Sequence, residues 1–232
     1  MTPPLSAARR TISQVACLVA KDLRIEARNR QTLGLVAVLG ILIVTVLGLG
    51  LGTQNNVPAF SATAVLWVAY LFSGVLCFEK TFAVERNDSV LAALLMAPVD
   101  RGVIYLAKLV SNLALILAVA AVVTPAGVLF FGFDLSAAPM AFASVMVLSI
   151  VGFAAVGTLF SAMVSSSRLQ GGFLAMMIFP ITLPLVIVST QMLIHLFRDG
   201  IAIGGPGLGV LISFDAIFLT VSWLVFDWVL EP

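Results

Sequence analysis

Six long apolar runs, each interrupted by almost no charge, dominate this chain and leave few folds open to it. A helix crossing about 30 Å of hydrocarbon needs roughly 20 mostly apolar residues. Residues 33–52, 58–78, 102–131, 139–164, 172–197 and 208–229 meet that length. The runs are continuously apolar and do not alternate, which disfavours a closed β-barrel. The third and fourth are longer than the minimum, so they tilt or extend past the bilayer. Re-entry of the fifth or sixth without crossing would make the count odd.

Composition supports lipid as the solvent. Hydrophobic residues make up 61% of the 232, and charged residues only 10%, against about 45–50% and roughly 25% in soluble domains. One water-soluble core has no room for that much apolar surface. The predicted fold is therefore an all-α integral membrane domain spanning 1–232, with about six transmembrane helices. A net charge of +1 gives no general attraction to nucleic acid.

Orientation follows from where Lys and Arg fall. With the amino terminus inside, Arg9, Arg10, Lys21, Arg24, Arg28, Arg30, Lys80, Arg86, Arg101, Lys108 and Arg168 all lie on the inner side. Of the twelve basic residues only Arg198 falls outside. An even number of spans then returns the carboxyl terminus to the cytoplasm. Arg9 and Arg10 do not begin a secretory signal, because charges from Lys21 to Arg30 interrupt the following stretch and no small-residue cleavage site follows the first long apolar run. The whole chain is expected to be retained. Cys17 and Cys77 fall at the inner face, where a reducing compartment disfavours a disulfide, and neither has a metal-type spacing.

Three segments stand out. Within 6–30, Ile12, Val15, Ala16, Val19 and Leu23 recur at helical spacing, while Lys21, Arg24 and Arg28 occupy another face. Such a basic amphipathic helix lies flat among headgroups, as a plain anchor or as part of a docking surface. The inner segment 79–101 carries Glu79, Lys80, Glu85, Arg86, Asp88 and Asp100 before Arg101. In its middle, Asp88 or Ser89 is placed to cap a short helix, which Pro98 ends because the residue before proline avoids the helical region. That helix is too short to span lipid and presents Leu91, Leu94 and Leu95, either to a partner's pocket or back to its own bundle. In the fifth span, Pro180 and Pro184 each remove a backbone donor. The freed carbonyls need partners within the protein, so this helix is expected in the bundle interior, kinked or locally unwound, as a hinge or as a fixed bend.

Other features carry less. His195 near the outer end of the fifth span reads as an interfacial polar residue sooner than as a metal or haem ligand. Asp215 is either an intramembrane carboxylate, a type that is rare and usually functional, or a solvated residue near the outer boundary. Trp223, Asp227 and Trp228 read as inner-interface residues. Gly157, Ser161 and Ser165 form a small-residue stripe in the fourth span, as do Gly48 and Gly52 in the first, and such stripes admit close helix packing. The glycine-rich 200–209 reads as an external loop or helix break. No Gly-Lys-Ser/Thr occurs, so the chain has no Walker A phosphate loop, and no constellation of catalytic side chains appears within the spans. If ATP is used, another chain hydrolyses it.

The stretch from Glu85 to Lys108, with Ser89, Leu94, Leu95, Pro98, Arg101 and Lys108, resembles the segment after the second helix of ABC-exporter permeases. Phe179-Pro180-Ile181-Thr182-Leu183-Pro184-Leu185, Gly171-Gly172 and Ala107-Lys108 resemble the haem exporter protein B (CcmB) family of bacterial cytochrome c maturation. Asp88 stands where exporter loops often have a glycine before the serine. The resemblance implies a permease subunit, not an enzyme, with no directly bound cofactor and with ATP on a separate CcmA-like ATPase. It implies that Glu85, Arg86, Asp88, Ser89, Leu91, Leu94, Leu95 and Pro98 form the coupling element. It also implies a homodimer within a two-permease, two-ATPase core in the bacterial inner membrane, beside other maturation proteins, with haem as cargo or a haem chaperone released at the periplasmic face. A membrane scaffold that assembles those proteins and transports nothing is the alternative.

Overall fold

Runs of Leu, Val, Ala and Ile can satisfy their own backbone in lipid by forming helices, whose N–H and C=O groups pair within the segment. A computed structural model of the chain describes residues 4–28, 30–51, 59–81, 100–132, 138–166, 172–199 and 205–229. Among these, every regular element is a helix: α1 (Pro4–Arg28), α2 (Arg30–Leu51), α3 (Ala59–Thr81), α4 (Arg101–Phe131), α5 (Pro139–Ser166), α6 (Phe173–Asp199) and α7 (Pro206–Val229). The six from α2 to α7 are long and apolar enough to cross a membrane, and the protein is an all-helical, multi-pass membrane protein.

Helix ends follow local chemistry. Pro4 starts α1, a position where the missing N–H would have no helical partner anyway. At the far end of α4, Gly132 adopts φ 65° and its N–H bonds Val128 O at 2.8 Å, a left-handed cap that costs glycine no Cβ clash. Helix α3 continues to Thr81, past the predicted end of its span, with Lys80 in its last turn, where a cation meets the negative end of the helix dipole.

Two helices hold the bundle together. About two-thirds of the apolar window of α3 and of α5 is buried, 67% and 61%, against 22% for α2 and 17% for α7. Their shared seam is built by reciprocal insertion. The Phe153 ring of α5 covers Gly74, with Cζ 2.7 Å from where a Cβ would stand, and the Phe78 ring of α3 fills the space over Gly157. The two rings meet edge to face at 5.1 Å, the arrangement their quadrupoles favour. Ser161 adds a hydrogen bond to Phe78 O, so two members of the predicted small-residue stripe face α3. Trp223 of α7 lies over Gly102, 2.9 Å from a Cβ there, and Phe226 packs on Tyr105 at 5.1 Å. The carboxyl-terminal half of α7 thus stands beside the first turns of α4.

The other faces are apolar and open: Leu35, Val38, Leu42, Val46 and Leu49 on α2, and Met176, Leu183 and Ile187 on α6. A water-soluble protein rarely shows a contiguous patch of this kind, whereas hydrocarbon solvates it.

The prolines correct an expectation. Helix α6 runs unbroken through Pro180 and Pro184, and both rings sit on its exposed face, not in the interior. The opposite face, with Ile178, Thr182, Leu185 and Ser189, is the buried one. Proline brings no donor to the bundle, so nothing favours turning its ring inward. Thr182 Oγ1 bonds back to Ile178 O at 2.9 Å and Phe179 O at 3.2 Å, a local contact of a buried hydroxyl with its own helix. Pro125 in α4 is likewise exposed within an unbroken helix.

Candidate functional site

Polar groups inside an apolar bundle are costly unless paired, so where they gather is informative. Among the described residues, one gathering surrounds the point where α3 ends and the 82–99 segment departs. Its centre is Lys108, two turns into α4 and buried despite its charge.

Lys108 Nζ lies 3.0 Å from Asp22 Oδ2 of α1 and 3.4 Å from Thr81 O, to which it donates. Thr81 is the last residue of α3, and its carbonyl is one of the four that a helix leaves without an internal donor. One ammonium therefore ties α1, the end of α3 and the start of α4 together. Asp22 also meets Lys21 at 3.2 Å. One turn further along α4, Asn112 uses both ends of its amide. Its Oδ1 accepts from Thr81 Oγ1 at 2.7 Å, and its Nδ2 donates to Thr158 Oγ1 of α5 at 2.9 Å. The Thr81 hydroxyl also approaches Cys77 O at 3.0 Å, so its single proton is shared. The polar chain thus runs from α1 through α4 and the end of α3 to α5.

The face that α1 turns to the bundle shares only part of its apolar stripe. Val15, Val19 and Leu23 are half-buried, but Ile12 and Ala16 are exposed, and Leu18, Asp22 and Glu26 are half-buried in their place. The buried ammonium of Lys108 accounts for Asp22 on that side, because it attracts a carboxylate. Arg24 and Arg28 remain exposed, and with Lys21, Cys17, Ala20 and Ile25 they line a shallow groove of about 410 Å³. Spacing alone missed Asp22 and Asn112. The available signal was Lys108 and Asn112 four apart on one face of an otherwise apolar run.

The proposed coupling residues Glu85, Arg86, Asp88, Ser89, Leu91, Leu94, Leu95 and Pro98 lie outside the described residues, as do Gly52, Arg168, Gly171 and 200–204. The junction above is where that segment is rooted, between Thr81 and Asp100.

Two further residues are placed by the structure. His195 is exposed near the far end of α6. Asp215 is buried, nine residues into α7 from Pro206, so it sits well inside the span and not at its boundary. Among the described residues neither of its oxygens has a hydrogen-bond partner. Gly152 of α5 admits it: a Cβ there would collide with Asp215 Oδ1 and stand 2.6 Å from Leu185 Cδ1.

A family model described as CcmB protein matches residues 13–227. The chain is 27% identical over 95 residues to the heme exporter protein B of Rhodobacter capsulatus, a stretch covering 41% of this chain and 44% of that protein. The heme exporter protein B of Paracoccus denitrificans is 30% identical over 81 residues, 35% of this chain and 37% of that protein. Its Escherichia coli K12 counterpart is 28% identical over 72 residues, 31% and 33% of the two chains. The matched stretches span less than half the length of each of these relatives.

Proposed function

The chain belongs to the CcmB protein family, and from that premise we propose that it is the permease subunit of an ABC transporter for cytochrome c maturation. In this reading a separate subunit hydrolyses ATP, and the permease couples that hydrolysis to haem export or to release of a haem chaperone at the periplasmic face. The observation that carries it is the match over residues 13–227, which takes in all six spans and the 79–101 segment. The name heme exporter protein B, borne by the curated relatives, supports haem as the cargo class.

Two permeases and two ATPase chains form the working core, in the inner membrane of a bacterium, with both termini cytoplasmic. Leu91, Leu94 and Leu95 enter a pocket of the ATPase, ringed by Glu85, Arg86, Asp88 and Ser89, with Pro98 closing the short helix. Supporting this placement, the segment springs from the one end of α3 that the Lys108 and Asn112 interactions hold to its neighbours. The exposed cations of α1 favour anionic headgroups, which keeps that helix at the same boundary.

The reading is tested in a deletion strain lacking the permease. Wild-type chain is expected to restore ATP-dependent cytochrome c assembly and to co-purify with an ATPase. The Leu94→Asp, Leu95→Asp double variant is expected to lose both while still inserting. Survival of ATPase binding and of cytochrome c assembly in that variant would remove the coupling role. A helix arrangement that stays fixed when the ATPase is trapped closed would instead assign the chain to scaffolding.

A further inference from the structure

We propose that Lys108 is a positioning residue, the latch through which displacement of the 79–101 segment reaches α1 and the core of the bundle. The inference rests on the proposed function and adds a specific route to it.

The geometry sets the route. The 82–99 segment leaves from Thr81 and returns at Asp100, so a partner that moves it pulls on the end of α3 and the start of α4. Lys108 grips both sides of that departure point, through Thr81 O at 3.4 Å and through its own place on α4. Its contact with Asp22 at 3.0 Å reaches α1, whose half-buried face packs on the bundle. Asn112 then carries the same displacement to Thr158 on α5, one of the two central helices.

Stability alone does not account for the ion pair. Lys108 is 6% and Asp22 15% exposed at the side chain, and burying the Lys108 ammonium carries a desolvation cost that offsets much of its attraction to Asp22. Replacing both members of a buried pair by apolar residues is often neutral or stabilising. What the pair does supply is direction. The ammonium fixes the rotation of α1 about its own axis and its distance from Thr81, and a contact between apolar side chains holds neither so closely.

The test uses the full complex of permease and ATPase in nanodiscs, with spin labels at Ile12 of α1 and Met140 of α5, both exposed. Wild type is expected to show a nucleotide-dependent shift in the distance between the labels. The Asp22→Leu, Lys108→Met double variant is expected to keep its fold, its ATPase and basal hydrolysis but to lose that shift together with cytochrome c assembly. Lys108→Arg, which retains charge and reach, is expected to restore both. Lys108→Met alone is expected to lose the shift as the double variant does, because among the described residues Asp22 then keeps only its contact to Lys21, on α1 itself. If the double variant moved as wild type does, or if Lys108→Arg failed to rescue while folded, the latch would be overturned and the coupling role would stand. If wild type carried no ATPase, the proposed function would fail and the latch with it.

Discussion

A methyl group at Gly157 has nowhere to go, because the ring of fully buried Phe78 already occupies the space over that glycine. Gly157→Ala should therefore force the α3–α5 seam apart, and overpacking a tight interior costs about 1–3 kcal/mol. Asn112→Ala removes two hydrogen bonds to neighbouring helices. Because such bonds between membrane helices average about 0.6 kcal/mol each, the packing variant should be at least as damaging as the polar one. Melting midpoints of the two variants in one detergent test that ordering, and a much lower midpoint for Asn112→Ala would contradict it. Gly152→Ala should behave like Gly157→Ala, since its methyl would meet both Asp215 and Leu185. The Gly157 and Ser161 contacts were legible in the sequence because spacing by four keeps small residues on one helical face. The Asp22–Lys108 pair was not. Its members lie on helices whose mutual placement no local periodicity encodes, and a lysine early in a span reads first as an orienting charge.

At the scale of elements, the two prolines of α6 separate what a sequence can say from what packing decides. That each proline removes a backbone donor was legible; which way its ring would face was not, because the buried side is set by where α3, α5 and α7 offer room. Outward rings make a clear prediction. Pro180→Ala with Pro184→Ala should restore two intrahelical donors without disturbing the core, so the double variant should melt no lower than wild type. A lower midpoint would contradict the outward placement. We propose that α6 also serves as a hinge, for which unchanged melting with loss of cytochrome c assembly is the expected result. Helix α1 shows the same division. Its amphipathic character was readable at helical spacing, but which residues it turns to the bundle was not, because Asp22 meets a buried cation on α4.

For the whole molecule, the apolar runs fixed six spans and an all-helical fold almost without help from packing, because lipid leaves the backbone few alternatives. The order of the helices around α3 and α5 had no such signal, since spans that are apolar on every side do not declare their neighbours. The reading of function depends on the boundary that the charged 79–101 segment faces, because an ATPase reaches it only from the cytoplasm. That is measured by placing single cysteines at Arg86 and Arg168 in a background with Cys17→Ser and Cys77→Ser. A membrane-impermeant maleimide is then applied to spheroplasts and to inside-out vesicles. The account predicts labelling of both positions in the vesicles and of neither in spheroplasts; labelling from the periplasmic side would contradict it.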